Sequence, residues 1–156
     1  MKLHTLAIIT LMASGSAALA DGSHAHADDW EAGRPGMAQD VTRVIEIDML
    51  EPDSGGMAFS PEDLQVVRGE TIRFVVRNLG YLDHEFVIDT VEANMEHSNV
   101  MMMNPDMQHS DPNAITLAPD ATGELIWTFS QAGTFQFACL IPGHMEAGMH
   151  GPISVN

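Results

Sequence analysis

The segment CLIPGHMEAGMHG (139–151) places three metal-donor side chains on one short stretch, Cys139, His144 and Met149, in the spacing C-x4-H-x4-M. Together they offer a thiolate, an imidazole and a thioether. Soft sulfur donors select copper(I), imidazole suits both copper oxidation states, and two His plus one Cys with a weak axial Met is the type 1 copper arrangement. A second His must then come from elsewhere. His84 is the best placed, because it opens the strand-like HEFVID after the turn-like NLGYLD. Zinc competes less well, since Cys-His-His zinc sites take further Cys or carboxylate ligands rather than a thioether. Singly, each residue would be ordinary: a buried Cys is a small hydrophobe and a Met a gap-filler. Their co-occurrence on one loop sets them apart.

The elements that must position these donors are short and rich in Val, Ile, Phe and Thr. VTRVIEIDML (41–50), LQVV (64–67), TIRFVVRN (71–78), HEFVID (84–89), AITLAP (114–119), ELIWTFS (124–130), TFQFACL (134–140) and PISVN (152–156) read as strands. Arg68-Gly69-Glu70 and Gln131-Ala132-Gly133 read as tight turns between them. This pattern predicts an all-β chain, a Greek-key β-sandwich. In TFQFACL, strict alternation puts Phe135, Phe137 and Cys139 on one face, so Cys139 should point inward at a strand end. One segment interrupts the strands. TVEANMEHSNVMMMNPDMQHSDPN (90–113) reads as a Met/His-rich excursion, a helical turn or two and then a loop broken at Pro105 and Pro112.

The N-terminus reads as an export signal. Met1-Lys2 gives a positive start, Leu3 to Met12 an apolar run, and Ala18-Leu19-Ala20 a small-x-small cleavage site. The expected organisation is a signal peptide at 1–20, a flexible His-containing leader at 21–40, and one domain at 41–156 with its excursion at 90–113. Such a chain is periplasmic, with no membrane insertion after cleavage. An exported protein usually pairs its cysteines, and this one has a single Cys. A formal net charge of −16 disfavours nucleic acid and favours cations or a redox partner with a basic surface.

The stretch GTFQFACLIPGHMEAGMHGPISV resembles the C-terminal signature of the cupredoxins, the plastocyanin/azurin family. DLQVVRGETIRFVVRN, followed by DHEFVID, resembles the family's strands before its first histidine ligand. The Met/His-rich excursion is most similar to periplasmic copper-tolerance cupredoxins. The resemblance implies that His84, Cys139, His144 and Met149 bind one redox-active copper. It also explains the single thiol, because a disulfide would remove the metal's strongest ligand. One departure is visible: plastocyanin and azurin carry an Asn after the first His, where this chain has Glu85. In that family the Asn helps to tie the two ligand loops together. Ala138 and Leu140 flank Cys139, whereas the multidomain copper oxidases and nitrite reductases carry a relaying His there. The expectation is a non-enzymatic protein.

Two functions fit such a chain. One is copper tolerance by handling the metal itself, with additional Cu(I) bound outside the type 1 site. The other is a dedicated one-electron shuttle between periplasmic redox partners. Donors for a second copper site are His24 and His26 in the leader, and His97, Met101, Met102, Met103, Met107 and His109 in the excursion. Against them stand a solvated tail and a Met-lined lid over the sandwich. Cleavage after Ala20 would leave His24 fourth, whereas the amino-terminal copper(II) motif needs His third. These extra donors place copper tolerance ahead of the shuttle.

Overall fold

The computed structural model describes residues 30–104 and 110–156. Ten strands and one α-helix follow one another as β1 (Arg34–Pro35), β2 (Arg43–Leu50), β3 (Ala58–Ser60), β4 (Leu64–Val66), β5 (Thr71–Asn78) and β6 (His84–Asp89), then α1 (Val91–Met103). The chain finishes with β7 (Ala114–Leu117), β8 (Thr122–Thr128), β9 (Gly133–Ala138) and β10 (His150–Val155). They form two five-stranded sheets, in the orders β1-β8-β5-β2-β3 and β4-β10-β9-β6-β7. Parallel pairs β2–β5 and β4–β10 sit among antiparallel neighbours. The result is the all-β sandwich expected from the strand pattern.

Alternation along the strands builds the core. Ile72, Phe74 and Val76 of β5, Ile47 and Met49 of β2, and Phe135 and Phe137 of β9 turn inward and are buried. Phe59, Phe74, Phe86 and Phe137 meet edge-on or tilted at 5.1–5.8 Å between ring centres. Burying each such ring contributes about 2–3 kcal/mol. The turn at Arg68-Gly69-Glu70 closes through Glu70 N–H on the Val67 carbonyl, with Gly69 at φ 91°. That left-handed backbone suits glycine.

Three features differ from the sequence expectation. First, the leader is not flexible throughout. Trp30 packs edge-on against Trp127 at 5.6 Å, Ala32 is fully buried with its carbonyl accepting from Trp127 Nε1, and β1 pairs with β8. A two-residue strand ending in Pro35 has no period to detect, so it shows only in its contacts with Trp127 and β8. The leader from Asp21 to Asp29, with His24 and His26, lies outside the described residues, as does the 1–20 segment. Second, β3 went unread because it is three residues long and buries only Phe59.

Third, the excursion begins as a thirteen-residue helix rather than a turn or two. Thr90 caps it, its hydroxyl accepting from the Ala93 N–H at 3.1 Å. Polar residues fill the face of α1 toward the sheet: Asn94 and Ser98 are buried, and Asn94 donates to Gln136 of β9 at 3.2 Å. A helix that buries Asn94 and Ser98 and exposes Met95, Met102 and Met103 has no amphipathic period, which is why the sequence understates its length. Among the described residues no helix is long and apolar enough to cross a membrane.

Candidate metal centre

The start of β6, the end of β9 and the start of β10 lie at one end of the second sheet, since β9 runs antiparallel to both neighbours. Val87 pairs with Ala138 and His150 with Ala138, so His84, Cys139 and the loop between β9 and β10 converge there. His84, Cys139 and His144 each offer a ligand atom, all within 4.8 Å of one another and all buried. The two Nδ1 atoms of His84 and His144 are 3.2 Å apart, and Cys139 Sγ lies 3.4 Å from His144 Nδ1. Among the described residues this is the one group of three or more His, Cys, Asp or Glu side chains arranged to hold a metal.

The loop is cross-braced by its own backbone. His144 N–H donates to the Ile141 carbonyl, Met149 N–H to the His144 carbonyl, and Cys139 N–H to the Met149 carbonyl, each at 3.0–3.1 Å. Met149 is thereby pinned beside both Cys139 and His144, and its side chain is fully buried. His150 is exposed at the rim. The Glu85 N–H points at Cys139 Sγ at 3.3 Å, so the backbone after His84 joins the two ligand segments. The Glu85 carboxylate turns the other way, accepting from Thr116 Oγ1 on β7 at 3.2 Å. It does not take over the loop-tying role of the Asn found in the resemblance.

The turn that delivers His84 is held by two residues that sequence spacing does not mark. Asn78 is fully buried and donates through Nδ2 to the carbonyls of Leu82 (2.7 Å) and Leu117 (2.9 Å), while its Oδ1 accepts from Gly80 N–H. It braces the 79–83 turn that delivers His84. Glu51, just past β2, accepts from Tyr81 N–H, Leu82 N–H and His84 Nε2. Nothing marks Glu51 among 22 acidic residues until β2 and the 79–83 turn are seen side by side.

Burial sets the protonation states. It pushes the Cys139 thiol up to about 12, against the pull of the Glu85 and Ile141 N–H groups. Burial, and then the neighbouring His84, hold the His144 imidazole below its ordinary value. A neutral imidazole and a thiol that yields its proton only to a metal suit a soft cation with thiolate affinity. The donor set therefore fits copper.

The comparison with known proteins agrees with this geometry. Residues 47–156 match the family model described as copper binding proteins, plastocyanin/azurin family. The chain belongs to the plastocyanin/azurin family. This cupredoxin is 48% identical over 134 residues to the copper-resistant cuproprotein CopI of Rubrivivax gelatinosus, covering 86% of this chain and 79% of that one. It is 34% identical over 170 residues to the copper-resistant cuproprotein CopI of Pseudomonas aeruginosa, covering 90% and 89%. Among solved structures, auracyanin B shares the fold with a TM-score of 0.65 at 20% identity, over 80% of this chain and 96% of that one.

Of the second set of sequence-derived donors, His97, Met101, Met102 and Met103 lie on α1, among the described residues. Met101 is partly buried and packs on Val87, Ala138 and Leu140. His97 is half-buried on the same side of α1. Met102 and Met103 are exposed, 47% and 73%, as is Met95 at 53%. Met107 and His109 lie outside the described residues. Among the described methionines of α1, Met101 is the one packed against the buried cluster of Val87, Ala138 and Leu140.

Proposed function

We propose that His84, Cys139 and His144, with Met149 as the weak fourth ligand, hold one redox-active copper, and that this cupredoxin serves copper tolerance in the periplasm. The convergence of two imidazole nitrogens and one thiol sulfur in a buried site carries the first part of the reading. The export-type N-terminus, with its small-x-small motif at Ala18-Leu19-Ala20, supports the location. The names of its CopI relatives support the tolerance role. Ala138 and Leu140, both buried and apolar beside Cys139, support a non-enzymatic protein, because they offer no relay to another centre.

Metal loading should be read by its protons. Copper(II) displaces the Cys139 proton, so uptake by the metal-free protein near neutral pH should release about one proton per copper. His144, held below its ordinary value, is neutral there and adds nothing. As pH falls through that lowered value its proton must leave as well, and apparent affinity should drop more steeply. Indicator titration in weak buffer measures the release. Uptake with no proton released would exclude the thiol as ligand.

Copper handling beyond one ion rests on the outward methionines. Met95, Met102 and Met103 present thioethers to solvent while polar Asn94 and Ser98 face the sheet, so core packing does not account for them. Thioethers favour Cu(I) and carry no proton to lose. Changing Met95, Met102 and Met103 to Leu keeps apolar bulk and removes sulfur. Cu(I) uptake beyond the first ion should then fall, and cells should become copper-sensitive while the visible spectrum stays. Unchanged Cu(I) stoichiometry and copper tolerance would favour the shuttle instead. That alternative has its own support: Leu79, Tyr81 and Leu82 are exposed on the turn before His84, an apolar surface beside the metal on which a redox partner could dock.

A further inference from the structure

Glu51 stands where a charge matters most. Its Oε1 lies 2.9 Å from His84 Nε2, on the side of the ring opposite the Nδ1 that faces His144. The same carboxylate takes the Leu82 N–H at 3.2 Å on Oε1 and the Tyr81 N–H at 2.8 Å on Oε2. Its side chain is 18% exposed and that of His84 not at all. Leu79 N–H, bonded to the Met49 carbonyl at 2.8 Å, fixes the end of β2 to the same turn. Gly80 completes the fit, because a Cβ there would run into the Glu51 carboxylate. Three N–H donors and one close-approach glycine thus converge on a single acidic side chain.

We propose that Glu51 is a positioning residue for the metal centre: its carboxylate fixes the His84 ring with Nδ1 toward Cys139 and His144, and its charge favours copper(II) over copper(I). The inference rests on His84 being a copper ligand. A carboxylate on the far N–H of a ligating imidazole fixes tautomer and rotation and raises the basicity of the ligating nitrogen. A negative charge one ring away from the metal also stabilises the ion of higher charge. Turn anchoring alone would explain the Tyr81 and Leu82 contacts. It does not explain why the carboxylate also meets the His84 ring.

Glu51→Gln separates the two roles. An amide has one acceptor oxygen and an NH2 group, so it cannot serve three donors and carries no charge. The copper protein should keep its thiolate-to-copper band, while the ratio of Cu(II) to Cu(I) affinity falls about tenfold, the lower end of effects from such outer partners. That equals a rise of about 59 mV in a one-electron potential, measurable by redox titration. Glu51→Asp, which keeps the charge, should stay closer to the parent potential. Nitrogen-15 NMR of the parent metal-free protein should find His84 protonated at Nε2, a reading that needs no variant to fold. A parent-like potential in Glu51→Gln overturns the proposal even if its melting temperature falls, and so does a His84 ring protonated at Nδ1 in the parent. A His84→Ala protein that retains the full band would instead remove the ligand reading on which the proposal stands.

Discussion

Cys139→Ala should yield a folded, colourless protein. The intense visible band of an oxidised type 1 site is charge transfer from thiolate to copper(II), and this chain has one sulfur of that kind. Cys139 is fully buried in the core beside Met149, and its sulfur accepts the Glu85 N–H. Replacing it by Ala removes the acceptor and little bulk, at a cost of about 1–3 kcal/mol for the stranded N–H. The sandwich, held by its aromatic core, should survive that loss. Cys139→Ser restores an acceptor of similar size but offers a hard oxygen in place of a soft sulfur, so it too should lack the band. Visible absorption and electron paramagnetic resonance of copper-loaded samples decide the matter. A blue or green Cys139→Ala protein would mean that the thiol is not the ligand.

His84→Ala should weaken copper(II) binding more than 100-fold, beyond the 10–100-fold typical of losing a partner behind a ligand. Two features make the loss large. His84 supplies one of the two nitrogens that face each other at 3.2 Å, and its fully buried position leaves a cavity that solvent does not readily fill. His144 is 8% exposed, so a hole at 144 opens outward and one at 84 does not. Added imidazole should therefore restore colour more readily in His144→Ala than in His84→Ala. Competition titration against a copper(II) chelator reads the affinity, and absorption with and without imidazole reads the rescue. Parent-like affinity in His84→Ala, with loss of binding on changing His97 instead, would move the ligand into α1.

Much of this was legible in the residues. Strand pattern alone placed β5 and β6 to the residue, because TIRFVVRN and HEFVID alternate or run apolar between turn signals. C-x4-H-x4-M marked three candidate donors on one loop and the strand-opening position of His84 a fourth, and His84, Cys139 and His144 do converge. What escaped was short or non-periodic. β1 and β3 are two and three residues long, and α1 buries Asn94 and Ser98 instead of an apolar stripe. Asn78 and Glu51 escaped for a different reason. Each acts through contacts across the fold, Asn78 to Leu117 and Glu51 to His84, and sequence spacing holds no record of them. The residue after His84 drew attention by analogy, yet its carboxylate accepts from Thr116 and it is its backbone N–H that meets Cys139 Sγ, while Glu51 braces the His84 ring.

X-ray absorption at the copper edge, on protein loaded with one equivalent of copper(II), reads the ligand shell itself. The shell expected from His84, Cys139 and His144 contains one short copper–sulfur bond and two copper–nitrogen bonds, with any contribution from Met149 longer and weaker. A shell of nitrogen and oxygen alone, with no short sulfur, would place the copper somewhere other than the buried cluster and contradict the assignment of Cys139.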